Sequence, residues 1–136
     1  MSNMKIVALI GPSSCGKTTT LNLVYEELIS SATIASPRKK EGGDPNDFSV
    51  ILTYKNLRIA IFSMGDFSKG VIGAIKWANK EECDYLIVAC NDRFVRPFRE
   101  MAKYENTQTR KEKLVDKTMF ANTNKNIAQQ ILIELE

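Results

Sequence analysis

Residues 11–18 read GPSSCGKT and satisfy the pattern G-x-x-x-x-G-K-[S/T] at every defined position. The residues just before them, KIVALI at 5–10, form a nearly continuous apolar run, which is typical of a strand buried on both faces of a parallel sheet. From Lys17 onward, apolar residues recur at intervals of three and four, as on one face of a helix: Leu21, Val24, Tyr25, Leu28 and Ile29. Strand, glycine-rich turn and helix therefore follow in order, which favours an α/β fold.

The same turn has the chemistry of a phosphate-binding site. Gly11 and Gly16 allow the backbone to point its N–H groups inward around phosphate oxygens, and the following helix N-terminus adds a partial positive charge. We expect Lys17 to contact the β- and γ-phosphates, Thr18 to bind Mg²⁺ through its hydroxyl, and Thr19 to contact the α-phosphate. The predicted nucleotide-binding residues are Gly11, Pro12, Ser13, Ser14, Cys15, Gly16, Lys17, Thr18 and Thr19.

The middle of the chain predicts a loop, a hairpin, a helix and a second buried strand. Residues 30–47 contain glycines and prolines without sustained periodicity, which indicates a long polar loop. Phe48 to Tyr54 and Leu57 to Ser63 are rich in β-forming residues and are separated by only two residues, which predicts an antiparallel hairpin over 48–63. Apolar residues between 71 and 78 predict a helix, and Tyr85 to Cys90 predicts a strand.

The C-terminal third predicts two helices and a short strand. Pro97 can occupy the first turn of a helix that continues to about Glu105. A polar stretch, 106–113, separates it from a short edge strand over 117–121. The final helix contains Ile127, Ile131 and Leu135, with Thr123 or Asn124 as its predicted N-cap. The alternation of strands and helices predicts an α/β sheet with helices on both faces.

Two aspartates are candidates for the acidic group on the metal side of the phosphates. Such a group is expected at the C-terminal end of a strand near the phosphate-binding turn. Asp66 follows the apolar run 59–62 and Asp92 follows the run 85–90. We favour Asp66, with Asp92 as the alternative, and we expect Asp66→Ala to weaken Mg-dependent nucleotide binding. Either aspartate can instead be a turn or capping residue.

A basic segment follows the second buried strand. Between Arg93 and Lys117 eight basic residues accompany four acidic ones, a local excess of four. Arg93, Arg96 and Arg99 recur every three residues at the sheet edge where ligands of open α/β sheets bind, so they are candidates for a lid over a transferring phosphoryl group. The alternative is a solvated helix face, and nucleic-acid binding is possible but not favoured. We expect Arg110, Lys111 and Lys113 to lie on the surface.

Composition excludes several classes of chemistry. At 136 residues with a net charge of +3, the chain fits one domain, 1–136. The absence of histidine excludes Ser-His or Cys-His catalysis and histidine metal ligands. Three cysteines without C-x-x-C spacing argue against a disulfide framework or a zinc site. Cys15 lies near a helix N-terminus, where thiolate character is favoured, so its oxidation could block phosphate binding. The apolar runs are too short to cross a bilayer, and the N-terminus lacks a signal-peptide pattern. We therefore expect a cytoplasmic protein without membrane contact.

The strings GPSSCGKTT, FSMGD and ANTNKNIAQQILIELE together resemble the P-loop nucleoside triphosphate hydrolase superfamily, and within it small nucleotide-kinase-like members. The resemblance implies a three-layer α/β/α fold with a mainly parallel sheet, Lys17 as the phosphate-binding lysine, and Arg93, Arg96 and Arg99 as a lid. Two features depart from that pattern. No Asp-x-Asp or Asp-Arg motif follows the second strand, and the hairpin over 48–63 is more typical of GTPase-like members.

Three functions agree with these residues. The first is an ATP-binding, Mg²⁺-dependent phosphotransferase acting on a nucleotide or another small molecule, with Lys17, Asp66, Arg93 and Arg96 as catalytic residues and Thr18 and Asp66 on the metal. The second is a nucleotide-dependent switch or NTPase that regulates a protein partner. The third is a nucleotide-binding subunit without turnover. ATP is favoured over GTP, because 124–127 resembles the guanine-reading motif Asn-Lys-x-Asp but lacks its aspartate.

Overall fold

The elements alternate between strands and helices along most of the chain, as the sequence predicts. The computed structural model describes residues 4–12, 15–40, 46–111 and 120–135. In chain order these form β1 (Lys5–Gly11), α1 (Lys17–Ile29), β2 (Thr33–Lys40), β3 (Phe48–Tyr54), β4 (Leu57–Phe62), α2 (Ser68–Lys80), β5 (Tyr85–Asn91), α3 (Arg96–Met101), β6 (Glu105–Arg110) and α4 (Phe120–Glu134).

The strands form a single six-stranded mixed sheet in the order β2-β3-β4-β5-β1-β6. β4, β5, β1 and β6 pair in parallel, whereas β2 and β3 pair antiparallel. The apolar side chains of β1 and β5 are buried because helices cover both faces of the sheet. One face packs against α1 and α4, and the other packs against α2 and α3. The α/β prediction with helices on both faces is therefore confirmed.

The predicted hairpin is present and joins β3 to β4. Its two-residue turn, Lys55 and Asn56, has φ angles of 50° and 66°, as a tight hairpin turn requires. The register pairs Tyr54 with Leu57 and Ser49 with Phe62. Because β3 is antiparallel to β4, its first residue lies at the edge where the parallel strands end. This edge carries the candidate site.

The prediction of a polar loop over 30–47 is wrong for residues 33–40, which form the edge strand β2. Most of its side chains are exposed, so the strand has no apolar alternation that a sequence pattern could reveal. Its register against β3 shifts between Ile34 and Ser36 and again between Ser36 and Lys39, around Pro37. Proline and lysine are typical of an edge strand that must not pair with another chain. The glycines and Pro45 in 41–45 lie outside the described residues.

Three predictions in the C-terminal third are corrected. α3 ends at Met101 rather than about Glu105, and the polar stretch from 106 is instead β6, paired with β1 along one edge. Residues 117–119 of the predicted edge strand lie outside the described residues, while Phe120 begins α4. Thr123 and Asn124 consequently lie within α4 and do not cap it. Among the described residues, no helix is long and apolar enough to cross a membrane.

A glycine after β4 gives a packing prediction. A Cβ built on Gly65 lies 2.6 Å from the backbone carbon of Ala89, whereas one built on Gly73 has nothing within 4 Å. We expect Gly65→Ala to lower the free energy of unfolding by about 1–3 kcal/mol, because the backbone of β5 must move. Gly73→Ala is the matched control and should raise it by about 0.5–1 kcal/mol, since alanine favours a helix over glycine. Urea denaturation measures both, and equal effects would contradict this packing.

Two buried thiols make stability depend on pH. Burial raises the pKa of Cys83 to about 11 and that of Cys90 to about 12. Above pH 9.0, the ordinary pKa of a thiol, the unfolded chain releases these protons while the folded chain keeps them. Stability should therefore fall by up to about 1.4 kcal/mol per pH unit for each thiol, from pH 9.0 to about 11 for Cys83 and to about 12 for Cys90. Cys90→Ala should reduce this slope in urea titrations; an unchanged slope would contradict the assignment.

Candidate functional site

The turn between β1 and α1 is closely surrounded by the C-terminal part of the chain. Gly16 immediately precedes α1 with a φ of 95°, a conformation that favours glycine. A Cβ on Gly16 would lie 3.0 Å from Cε of Lys111 and 3.1 Å from Oδ1 of Asn124. A Cβ on Gly11 would collide with the Lys111 carbonyl oxygen. Close packing against backbone therefore requires glycine at position 11, whereas the positive φ favours it at position 16. Ser13 and Ser14 lie outside the described residues.

The amine of Lys17 is held inside this turn. The side chain is only 5% exposed, and Nζ donates hydrogen bonds to the carbonyl oxygens of Gly11 at 2.9 Å and Pro12 at 2.7 Å. Nζ also lies 3.5 Å from Oδ1 of Asp66 and 3.9 Å from Sγ of Cys15. A buried ammonium group thus lies in the turn from which the sequence predicts phosphate binding.

Thr18 contacts an aspartate that the sequence analysis missed. Its hydroxyl donates to Oδ1 of Asp47 at 2.8 Å, and the Ser63 hydroxyl lies 3.1 Å from the same oxygen. The amide of Phe48 donates to Oγ of Ser63 at 2.8 Å, which fixes that hydroxyl. Asp47 precedes β3 and does not follow a parallel strand, and the antiparallel direction of β3 brings its N-terminal end to the same edge.

Asp66 lies beside Lys17 rather than beside Thr18. β5 separates β4 from β1, so Asp66 does not follow the strand next to the turn. Its Oδ1 accepts a hydrogen bond from Nδ2 of Asn91 at 3.2 Å in addition to the contact with Lys17. The Asp66 side chain is 51% exposed, so one side of the carboxylate faces solvent. Asn91, a second residue that the sequence analysis missed, is buried at the end of β5 and also accepts from the amide of Arg93.

Asp92 lies in the turn after β5. Its backbone amide donates to the carbonyl oxygen of Gly11 at 3.2 Å, which connects the β5 turn to the end of β1. Its Oδ1 is buried without a hydrogen-bond partner in the described part of the chain. Asp92 therefore contributes a backbone contact to the turn, whereas the contacts with Lys17 and Thr18 are made by Asp66 and Asp47.

Lys111 corrects the expectation of a surface residue. It directly follows β6 and is only 2% exposed, and its amide donates to the Ile10 carbonyl oxygen at 2.7 Å. Burial lowers the pKa of Lys111 below its ordinary value; Cys15 opposes this shift and the charge of Lys17 reinforces it. The parallel pairing of β6 with β1 places this second lysine at the turn, which no pattern in the polar sequence indicates. Lys113 lies outside the described residues.

The three candidate arginines do not form one aligned series. Arg93 lies in the turn before α3, and only Arg96 and Arg99 belong to the helix. All three are exposed, and within the described ranges no hydrogen bond or ion pair holds their guanidinium groups. They are at the predicted edge of the sheet and are free to reorient.

Two oxygen groups that could contact a metal ion lie together at Thr18. No group of three or more Cys, Asp or Glu side chains among the described residues could enclose a metal ion. Mg²⁺ commonly uses one or two protein oxygens and completes its shell with water and substrate phosphates. The Thr18 hydroxyl and the Asp47 carboxylate provide such oxygens.

No family model, curated protein or solved structure matches this chain.

Proposed function

We propose that this chain binds Mg-ATP at residues 11–19 and transfers the γ-phosphoryl group to a small-molecule acceptor. The observation that carries the proposal is the buried ammonium of Lys17 inside a turn that leads directly into α1. Its partners are two carbonyl oxygens, one carboxylate and the sulfur of Cys15. Phosphate oxygens can compete for the same protons, and the N-terminus of α1 favours an anion at this place.

The proposed roles follow from the contacts. Lys17 binds the β- and γ-phosphates, and Thr18 with Asp47 or Asp66 holds the metal. When bound, Mg²⁺ supplies positive charge that neutralises the phosphate oxygens. Asp66 is half exposed beside Lys17 and can accept the proton of an attacking hydroxyl at its carboxylate. Arg93 and Arg96 can turn toward the transferring group, since their side chains are exposed.

We propose that the site prefers adenine to guanine and therefore binds ATP. Asn124 belongs to the string that resembles a guanine-reading motif, but it is buried in α4 and its Oδ1 accepts from the Thr20 hydroxyl at 3.2 Å. A side chain in that position contacts α1 instead of a base. It therefore gives no support to guanine recognition.

Calorimetry with a nucleotide panel, with and without Mg²⁺, tests the binding step. We expect ATP to bind and Mg²⁺ to strengthen the binding. A screen of nucleosides, nucleotides and small metabolites for acceptor-dependent ADP release then tests the transfer step. No measurable ATP binding with Mg²⁺ present would contradict the whole proposal, whereas binding without any acceptor-dependent ADP release would leave a switch or a binding subunit.

A second candidate function, a nucleotide-dependent switch, is supported by the contacts of Asn22 on α1. Its Nδ2 donates to the carbonyl oxygens of Thr18 at 2.9 Å and Asn46 at 3.1 Å, and its Oδ1 accepts from Arg38 of β2 at 2.7 Å. A change in the position of Thr18 can therefore be passed through Asn22 to the edge strand β2. Hydrogen exchange of 33–40 distinguishes the two functions: equal protection with ADP and with a non-hydrolysable ATP analogue would contradict a switch.

A further inference from the structure

A pocket of about 720 Å³ lies between α2 and the β2–β3 side of the sheet, and we call it the α2–β2 pocket. This volume is within the range of small-molecule sites in proteins. None of the described residues of the turn, 11–12 and 15–18, lines it, so it is distinct from the Lys17 and Thr18 contacts of the proposed nucleotide site. Apolar residues that line it include Pro37, Phe62, Met64, Phe67, Ala74 and Trp77.

Two glycines on α2 keep this pocket open. Gly70 and Gly73 are three residues apart and both line the pocket. A Cβ on Gly73 would meet nothing within 4 Å, so alanine or a larger side chain fits there. Glycine disfavours a helix relative to alanine. The helix thus gives up stability at a position where a side chain would occupy the pocket.

The wall is suited to a flat apolar molecule. Phe67 is 54% exposed although it is a large aromatic residue, and Trp77 is only partly buried. Both side chains line the pocket next to Met64. A planar ligand between them would cover aromatic surface that is now in water, and aromatic side chains favour stacked or edge-to-face contacts with such a ligand.

The charge of the rim is positive. The guanidinium of Arg38 lies on the opposite face of the sheet, 4.0 Å from the ring centre of Phe48 and 4.7 Å from that of Tyr25. Lys39 pairs directly with Ser49, and directly paired residues share a face of the sheet; both residues line the pocket. Among the described residues, no Asp or Glu lines the pocket.

We propose that the α2–β2 pocket is a second ligand site, which takes a planar apolar molecule carrying one anionic group. The flat body lies against Phe67 and Trp77, and the anionic group lies near the ammonium of Lys39. This goes beyond the proposed nucleotide site, because it requires neither ATP nor Mg²⁺.

The experiment uses 8-anilinonaphthalene-1-sulfonate, a planar apolar anion, and its neutral counterpart N-phenyl-1-naphthylamine, with fluorescence as the readout. We expect saturable one-to-one binding of the anionic probe to the folded chain. Gly73→Met should weaken the binding of both probes by about ten-fold, because the new side chain fills the pocket. Lys76→Met, an exposed residue of the same helix that does not line the pocket, is the matched control and should leave both affinities unchanged.

A separate variant tests the contact with the anionic group. Lys39→Ala should weaken binding of the sulfonate by about three-fold and leave the neutral probe unaffected. Cooperative urea unfolding of each variant shows that the probes report on the folded state. Equal affinities in Gly73→Met and Lys76→Met would overturn the site, and so would displacement of the probe by ATP, which would place it in the nucleotide site. A dimer that only Gly73→Met dissociates would also overturn it, by showing a second copy of the chain on this face. Failure of ATP to bind would contradict the proposed function and leave this result unchanged.

Discussion

Lys17→Met is expected to abolish measurable ATP binding, with a loss of about 100-fold or more in affinity. Methionine keeps much of the length and apolar volume of the lysine stem but removes the ammonium that is held between Gly11 and Pro12. A hydrogen bond to a charged group contributes about 1.5–3 kcal/mol, and this ammonium is proposed to contact two phosphates. Isothermal titration calorimetry with Mg-ATP measures the loss.

Lys76→Met is the control for a lost positive charge. Lys76 is an exposed lysine on α2, and its replacement should leave the affinity for ATP unchanged. Because Lys17 is buried, its substitution also requires a stability measurement, and urea unfolding should remain cooperative. Retained ATP affinity in a folded Lys17→Met variant would contradict phosphate binding at this turn.

Asp47→Asn is expected to remove most of the effect of Mg²⁺ on ATP affinity, and to do so more completely than Asp66→Asn. Asp47 accepts the hydrogen bond of the Thr18 hydroxyl at 2.8 Å, whereas Asp66 contacts Lys17 at 3.5 Å. A carboxylate beside the metal-binding hydroxyl is the better position for a ligand of the ion or of its water. We expect the ratio of ATP affinities with and without Mg²⁺ to fall by about ten-fold in Asp47→Asn.

The same two variants test whether Asp66, instead of Asp47, holds the metal. If Asp66 holds the metal, Asp66→Asn loses the Mg²⁺ effect and Asp47→Asn keeps it, which is the reverse of the result expected from the contacts. Electron paramagnetic resonance of bound Mn²⁺ gives a readout that does not depend on turnover. Since Ser63 lies near the same oxygen of Asp47, Ser63→Ala is a milder variant and should reduce the Mg²⁺ effect without abolishing it.

The strands and helices with buried apolar residues, and the turn between the first strand and the first helix, can be predicted from the sequence. KIVALI, the run 85–90 and the arms of the hairpin each predict a strand, because a strand covered by helices must be apolar. The apolar residues on one face of α1 and the glycine-rich pattern at 11–18 predict a strand, a turn and a helix in that order. These signals are local, so a single sequence carries them.

The polar edge strands of the sheet and the residues that surround the site depend on tertiary contacts and cannot be predicted from the sequence. β2 and β6 pair through backbone hydrogen bonds and their side chains are exposed or half-buried, so their composition resembles that of loops. Asp47 contacts Thr18 because β3 runs antiparallel and begins where the parallel strands end. Lys111 reaches the turn because β6 pairs with β1. The sequence specified the phosphate-binding pattern, but strand direction and pairing brought its surrounding charged residues together, and those depend on contacts between distant parts of the chain.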